Sequence, residues 1–189
     1  MSDGSPHIAE LGHVGLRCFD LDQQVAFYRD VLGLTVTDKD EALGLYFLSS
    51  RPEIEHHEFV LTRDRVAPRG AKLIQQISFR CPELSDVIEY FKRFRDAGVE
   101  FHQIVSHGTA VSVYFFDPEG NRTEVYWATG LDARQPFVMN IDLDQSEEAI
   151  LAEVSAAVEK HGKDGTVDPT FSQWAQSFAT APVESTPNS

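Results

Sequence analysis

Two stretches of this chain are near copies. "ELGHVGLRC" (residues 10 to 18) and "LIQQISFRC" (residues 73 to 81) both alternate apolar with small or polar residues and both end in Arg-Cys. They differ where a side chain could do chemistry, because His13 in the first stands against Gln76 in the second. Strand alternation puts Val14, Leu16 and Cys18 on one face and His13, Gly15 and Arg17 on the other. In the second copy Ile77, Phe79 and Cys81 oppose Gln76, Ser78 and Arg80. The late segment "NRTEVYWA" adds Glu124 and Tyr126 to the face that carries Gln76. Imidazole, amide and carboxylate groups gathered inside a curled sheet need partners, and a metal ion or a polar ligand is one way to supply them.

The elements that must position these groups also come twice. In copy one the strand is followed by "FDLDQ", which offers Asp20 or Asp22 as a helix N-cap. The helix "QQVAFYRDVLG" has Val25, Tyr28 and Leu32 on one face and Gly33 as its C-terminal cap. Three short strands follow, "LTVTD", "LGLYFLSS" and "HHEFVLT". Copy two runs through "PELSD", the helix "VIEYFKRFRDAG", and the strands "VEFHQIVS", "AVSVYFFD" and "NRTEVYWA". Pro118 and Gly120 in "DPEGN" mark a tight turn between the last two. The connector "RDRVAPRGAK" is polar and contains Pro68 and Gly70. The expected fold class is therefore α+β: two βαβββ modules, at about residues 8–63 and 72–129, forming a curled mixed sheet around a cavity, with a C-terminal helical tail. The tail, 130–189, is expected to begin extended and irregular. An amphipathic helix then carries the stripe Ile150, Val154 and Val158, and "DPTFSQWAQSFA" reads as a short last helix. The tail is expected to pack on the paired modules or on a second subunit.

Composition bounds the function. The 189 residues are 42% apolar and 24% charged, as in ordinary globular proteins, and the formal net charge of -14 argues against nucleic acid or an anionic membrane as the main partner. No basic and apolar leader opens the chain and no run of about 18 apolar residues exists. Cys18 and Cys81 end equivalent strands, which reads as two buried free thiols and a reducing, cytoplasmic setting.

"LGHVGLRCFDLDQQVAFYRDVLGL" followed by "YFFDPEGNRTEVYW" resembles the vicinal oxygen chelate superfamily, which contains glyoxalase I, bleomycin-resistance proteins and type I extradiol ring-cleaving dioxygenases. The resemblance spans about residues 8 to 129. It implies a metal held by the first and last strands of both modules, and the positions here are His13, His57, Gln76 and Glu124. Matching "HHEFVL" to "TEVYW" sets His57 opposite Glu124. The dioxygenase branch also implies an acid–base histidine at His57 and a substrate-orienting tyrosine at Tyr114, ten residues before Glu124. His107 stands near a further pocket histidine of that branch.

Gln76 departs from the pattern, because the dioxygenases have histidine there and bind Fe(II) with two histidines and one carboxylate. Two ligand sets stay open. In one, His13, His57 and Glu124 bind the metal and Gln76 is a fourth or neighbouring contact. In the other, His13, Gln76 and Glu124 bind it and His57 is the base. The implied function is an Fe(II) dioxygenase acting with O2 on a catechol-like or hydroquinone-like aromatic, with Phe101, Phe115 and Phe116 as candidate apolar walls. Mn(II), Ni(II) or Zn(II) could replace iron, and a homodimer is expected. A glyoxalase-like lyase or isomerase and a metal-free drug-sequestering protein are the alternatives. His56, His102 and His161 read as solvated, and Arg17 and Arg80 as partners of surplus acids.

Overall fold

The structure, a computed structural model, describes residues 10–71 and 73–170 and divides into two compact units. One unit comprises Met1–Gln75 with Phe116–Asn121, and the other Gln76–Phe115 with Arg122–Ser189. The expected last helix falls largely on residues 171–179, outside the described residues, as does the opening segment 1–9.

The first unit begins with β1 (Val14–Arg17) and α1 (Leu21–Ala26), which continues as a π-helical turn, Phe27–Val31. Strands β2 (Thr35–Asp40), β3 (Leu45–Ser49) and β4 (Phe59–Thr62) complete it. The sheet order is β1-β4-β3-β2. Strands β1 and β4 are parallel and the other two pairings antiparallel. Of the two candidate caps Asp20 is the one used, its carboxylate accepting from the Gln23 amide at 2.9 Å. Val25, Tyr28 and Leu32 are buried on one face as the spacing predicts. The helix is not uniformly α, however. The Leu32 amide reaches back five residues to the Phe27 carbonyl at 3.1 Å, and this wider turn lets the adjacent Phe27 and Tyr28 both be buried, edge to face at 5.5 Å. Gly33 at φ 84° turns the chain out of it.

The second unit starts with β5 (Ile77–Arg80) and α2 (Leu84–Asp96). Leu84, Val87, Phe91 and Phe94 form the buried stripe of α2. Phe115 stacks at 4.3 Å on Phe94, and Phe101 at 5.4 Å on Phe91, so these two rings serve helix packing rather than a pocket wall. Strands β6 (Phe101–Ser106), β7 (Ala110–Phe116), β8 (Arg122–Ala128) and β9 (Phe137–Asn140) follow, then α3 (Glu147–His161) and β10 (Thr166–Val167). The sheet order is β10-β9-β6-β7-β8-β5, with β5 and β8 parallel. The stretch after residue 130 is thus more regular than its sequence suggests. Strand β9 pairs antiparallel with β6, and Phe137, Val138, Ile150 and Val154 are buried. Both cysteines are free and buried, and burial pushes each thiol up to about 12. No helix among the described residues is long and apolar enough to cross a membrane.

The turn between β7 and β8, residues 116–121, belongs to the first unit. There the Glu119 carboxylate accepts from the Phe19 and Asp20 amides at 2.6 and 2.9 Å, just ahead of α1, and from Arg65 at 3.2 Å. The Glu119 side chain is 0% exposed and that of Arg65 7%. Asp117 accepts from the buried Tyr28 hydroxyl at 3.0 Å and closes the turn through the Glu119 and Asn121 amides. Replacing Glu119 with alanine leaves a buried guanidinium and two amides without an acceptor. We expect Glu119→Ala to cost about 3–5 kcal/mol in equilibrium urea unfolding, with Glu119→Ala/Arg65→Met recovering part of the loss.

Candidate functional site

In the first unit the parallel β1–β4 ladder is prolonged by the Val14 amide, which donates to the Glu58 carbonyl at 3.1 Å. It brings His13, just ahead of β1, beside His57, two residues ahead of β4. Their ring centroids are 4.6 Å apart and tilted by 48°. His57 Nδ1 is 2.9 Å from His56 Nδ1, so one ring donates to the other and His57 keeps Nε2 for another partner. Phe47 borders both His56 and His57, at 5.8 and 5.1 Å. The Glu58 carboxylate is turned elsewhere, to the Ser50 amide and hydroxyl at 2.9 and 2.7 Å and to Arg51 at 3.0 Å. Burial works to raise its pKa, but these donors outweigh burial and hold the group below the usual carboxylate range.

The register of the two parallel ladders revises one expectation. Cys18 donates to the Thr62 carbonyl and Cys81 to the Tyr126 carbonyl, both at 2.7 Å, so the two copies superpose at these pairs. Counting back, Glu124, which pairs with Ser78, corresponds to Val60, which pairs with Gly15. His57 corresponds to Asn121 and lies in the loop before the strand, not opposite Glu124. The strand begins at Phe59 because residues 51–58 form a turn and loop, which "HHEFVLT" does not reveal.

In the second unit Glu124 is 5% exposed at the centre of a polar network. Gln76 Nε2 donates to Glu124 Oε2 at 3.0 Å and to Ser78 Oγ at 2.9 Å, and Ser78 donates to the same carboxylate oxygen. Arg122 is the hub. Its Nη1 donates to Gln76 Oε1 at 2.6 Å, its Nε to His102 Nδ1 at 3.0 Å and its Nη2 to Gln103 Oε1 at 3.3 Å. The guanidinium carbon lies 3.8 Å from the Tyr114 ring centroid. An arginine only donates, so His102 Nδ1 must be the acceptor and the neutral ring carries its proton on Nε2. Burial, and then Arg122, lower the His102 pKa to about 4.

Tyr114 is oriented by its other neighbour. His107 Nδ1 is 3.0 Å from the Phe137 carbonyl of β9 and its Nε2 3.1 Å from the Tyr114 hydroxyl. A carbonyl only accepts, so Nδ1 carries the proton, Nε2 accepts, and the phenol donates. Burial, and then the Glu124 carboxylate, raise the phenol above its ordinary pKa. Tyr114 is therefore a protonated phenol set between His107 Nε2 and the Glu124 carboxylate.

Of the residues singled out from sequence, His13 and His57 meet in the first unit, and Gln76, Glu124 and Tyr114 in the second. Arg122, Ser78 and Gln103 join the second set. Arg122 was not singled out, although it stands two residues before Glu124 on the same strand face. His102, read as solvated, is half-buried. A β-bulge between Phe101 and Gln103 breaks the period-two alternation, so that the consecutive His102 and Gln103 both reach Arg122. His56, exposed, is bonded to His57, and His161 is half-buried at the end of α3.

The donor types can be tested against a metal ion. Among the described residues no three His, Cys, Asp or Glu side chains form a metal-binding group. The donor chemistry available is an imidazole pair, His13 with His57, and a carboxylate, Glu124. Two imidazoles on one divalent ion, with nitrogen–metal bonds of about 2.1 Å, would have ring centroids about 4.5–5 Å apart, which the observed 4.6 Å matches. Two hydrogen bonds converging on Oε2 of Glu124 are also what a ligating carboxylate receives on one oxygen. Gln76 fits less well, because its oxygen is bonded to Arg122.

Two βαβββ repeats, each with its first and last strands in parallel, are the architecture of the vicinal oxygen chelate fold, and the comparisons agree. A family model described as the Glyoxalase/Bleomycin resistance protein/Dioxygenase superfamily matches residues 10–125, and the chain belongs to this superfamily. Among curated proteins it is 32% identical over 124 residues to the biphenyl-2,3-diol 1,2-dioxygenase 3 of Rhodococcus globerulus, covering 61% of each chain. It is 28% identical over 123 residues to a manganese-dependent 2,3-dihydroxybiphenyl 1,2-dioxygenase of Geobacillus genomosp. 3, covering 64% of this chain and 37% of that one. The chain thus spans less than two thirds of these relatives. Among solved structures, an integron cassette protein from the mobile metagenome of the Halifax Harbour sewage outfall is 27% identical with a TM-score of 0.55, over 64% of this chain and 99% of that one. A lactoylglutathione lyase from Agrobacterium tumefaciens, 23% identical with a TM-score of 0.50 over 64% and 94%, shares the fold.

The lowered His102 pKa has a consequence for stability. A histidine whose folded pKa lies below its unfolded one contributes stability that is complete above the unfolded value of about 6.5 and is lost as the pH falls through about 4. The imidazole of His102 should titrate near pH 4 by NMR. His102→Gln should remove part of the acid sensitivity of unfolding in that window.

Proposed function

We propose that this chain is a metal-dependent dioxygenase that opens a catechol-like or hydroquinone-like aromatic ring next to a hydroxylated carbon, with O2 as co-substrate. The observation that carries the reading is the oriented phenol of Tyr114, protonated and donating to His107 beside the Glu124 carboxylate. The relatives named as dioxygenases of biphenyl-2,3-diol and 2,3-dihydroxybiphenyl support the same reaction class.

The donors such an ion would take are the His13 and His57 imidazoles in the first unit and the Glu124 carboxylate in the second. Fe(II) or Mn(II) suits such a mixed nitrogen and oxygen set, and when bound it would supply Lewis-acid activation of the diol and the redox chemistry for oxygen. Tyr114 can accept a substrate hydroxyl proton at its oxygen while passing its own proton to His107 Nε2. The imidazolium so formed stays anchored through Nδ1–H to the Phe137 carbonyl. Burial of Tyr114 keeps water from competing for that transfer. In this reading His57 is a donor to the ion, and the proton relay belongs to Tyr114 and His107.

Elemental analysis and oxygen uptake with a panel of catechols test the proposal. One ion per chain, oxygen consumed in step with substrate, and a yellow product are expected. His13→Ala, His57→Ala and Glu124→Ala should each strip the ion. Tyr114→Phe should keep the ion and lower kcat about 10²- to 10³-fold. Turnover of a hemithioacetal with Ni(II) or Zn(II) in the absence of oxygen, and none of any catechol in its presence, would overturn the reading in favour of a lyase.

A further inference from the structure

We propose that Gln135 is a positioning residue for the His107–Tyr114 pair. Its side chain clips the chain after residue 130 to the turn between β6 and β7, so that the Phe137 carbonyl holds the His107 proton on Nδ1 and leaves Nε2 as an acceptor for the phenol. The inference rests on the reading above for what the pair does, and it needs no metal ion. The family model ends at residue 125, and Gln135 and Phe137 both lie beyond it.

The backbone explains why a side chain is needed here. Strand β9 pairs with β6 at Val105–Asn140 and Ser106–Met139. One residue further along, the His107 amide turns away to donate to the Ala110 carbonyl at 2.8 Å and closes the hairpin. The ladder therefore stops short of Phe137. On the other side of β9, the amides of Thr166 in β10 and of Asp168 just after it take the Pro136 and Val138 carbonyls, at 3.1 and 2.9 Å. The Phe137 carbonyl between these two points back toward the hairpin, as alternate carbonyls of a strand do. Phe137 is buried, so this carbonyl needs a donor from the protein. The donor is the His107 ring, with Nδ1 at 3.0 Å.

Gln135 sets the gap that the ring spans. Its Nε2 donates to the His107 carbonyl at 2.9 Å and to the Ala133 carbonyl at 3.2 Å, and its Oε1 accepts from the Phe137 amide at 3.1 Å. The side-chain amide thus ties the main chain of His107 to that of Phe137, and the imidazole closes the same loop. The approach beside it is close. A Cβ on Gly108 would stand 2.7 Å from that of Ala133 and 3.1 Å from Val158 Cγ2. Without the clip, a histidine in a turn is free to change rotamer. A neutral imidazole with no acceptor at Nδ1 carries its proton mostly on Nε2. In that form it would donate to the Tyr114 oxygen and could not take the proton of the phenol.

Histidine-selective 15N labelling of the full, metal-free chain in slightly alkaline buffer reads the tautomer from the two-bond couplings of each ring. His107 should carry its proton on Nδ1 in the wild type. Gln135→Met keeps the length of the side chain and removes its bonds to both main chains. It should raise the share of the Nε2–H form about threefold or more. Asn140→Ala removes contacts with Asp168 and Thr170 at the other end of β9 and should leave that share unchanged. In oxygen-uptake assays Gln135→Met should lower kcat about three- to tenfold and keep KM within about twofold. Gln135 is exposed, so its replacement leaves the core intact, and thermal unfolding confirms that each variant is folded.

A wild-type proton on Nε2, a Gln135→Met spectrum like that of the wild type, or an equal shift in Asn140→Ala would overturn the inference and leave the dioxygenase reading standing. So would a shifted tautomer with kcat unchanged. The expected spectra with no oxygen uptake from any catechol would instead overturn the dioxygenase reading and leave the clip in place.

Discussion

In each βαβββ repeat the first strand runs parallel to the last, and this pairing decides where every chemically interesting side chain falls. Parallel neighbours cannot be joined by a tight turn, so the chain must cross over through a helix before it returns. Here it goes through a helix and two further strands, and the returning strand then lies against the first in a register fixed by backbone hydrogen bonds. In the first unit that register draws His13 to the loop carrying His57. In the second it sets Ser78 opposite Glu124, with Gln76 and Arg122 one step further back along the ladder. Shifting either ladder by one residue would turn every one of these groups to the helix side.

The duplication is equal in backbone and unequal in chemistry. Where the second unit has Ser78 and Glu124, the first has Gly15 and Val60. The carboxylate and its hydrogen-bonding hydroxyl thus occur in one copy, and the imidazole pair in the other. The first copy obtains its second histidine from a loop, where it is oriented by His56 and bordered by Phe47. In the second copy the Arg122 guanidinium has neutral acceptors at its nitrogens, an aromatic ring beneath it and the Glu124 carboxylate in electrostatic reach.

Much of this organisation was legible before any coordinates. The alternation in "LGHVGLRC" and "IQQISFRC", the apolar stripes of the helices and the turn residues of "DPEGN" name the elements and their order, because each reflects a local preference or a repeating period. Features that depend on partners far along the chain were hidden. Nothing local ends the loop at residue 58 rather than at 55, so His57 was set against Glu124 when Val60 occupies that place. The wide turn at Phe27 answers the burial of two adjacent rings. The bulge at His102 is a mismatch between two strands and has no signature in either. Strand β9 exists because β6 offers it an open edge, which the irregular-looking "LDARQPFVMNIDLD" could not announce. Within the site, Glu124 and His13 were singled out from the strand faces and Tyr114 from the family resemblance. Arg122 escaped attention because surplus charge is usually solvated, and its importance lies in the company it keeps.

The turn at Asp117 and Glu119 bears on how the chain is made. The amides just ahead of α1 are satisfied by a carboxylate 99 and 100 residues downstream, and the Tyr28 hydroxyl by one 89 residues downstream. During synthesis the amino-terminal half therefore leaves the ribosome with its first helix unfinished and Arg65 exposed. It waits for the carboxy-terminal half to deliver a six-residue plug. A nascent chain halted after the first βαβββ repeat would have the elements of that unit and lack the piece that completes them.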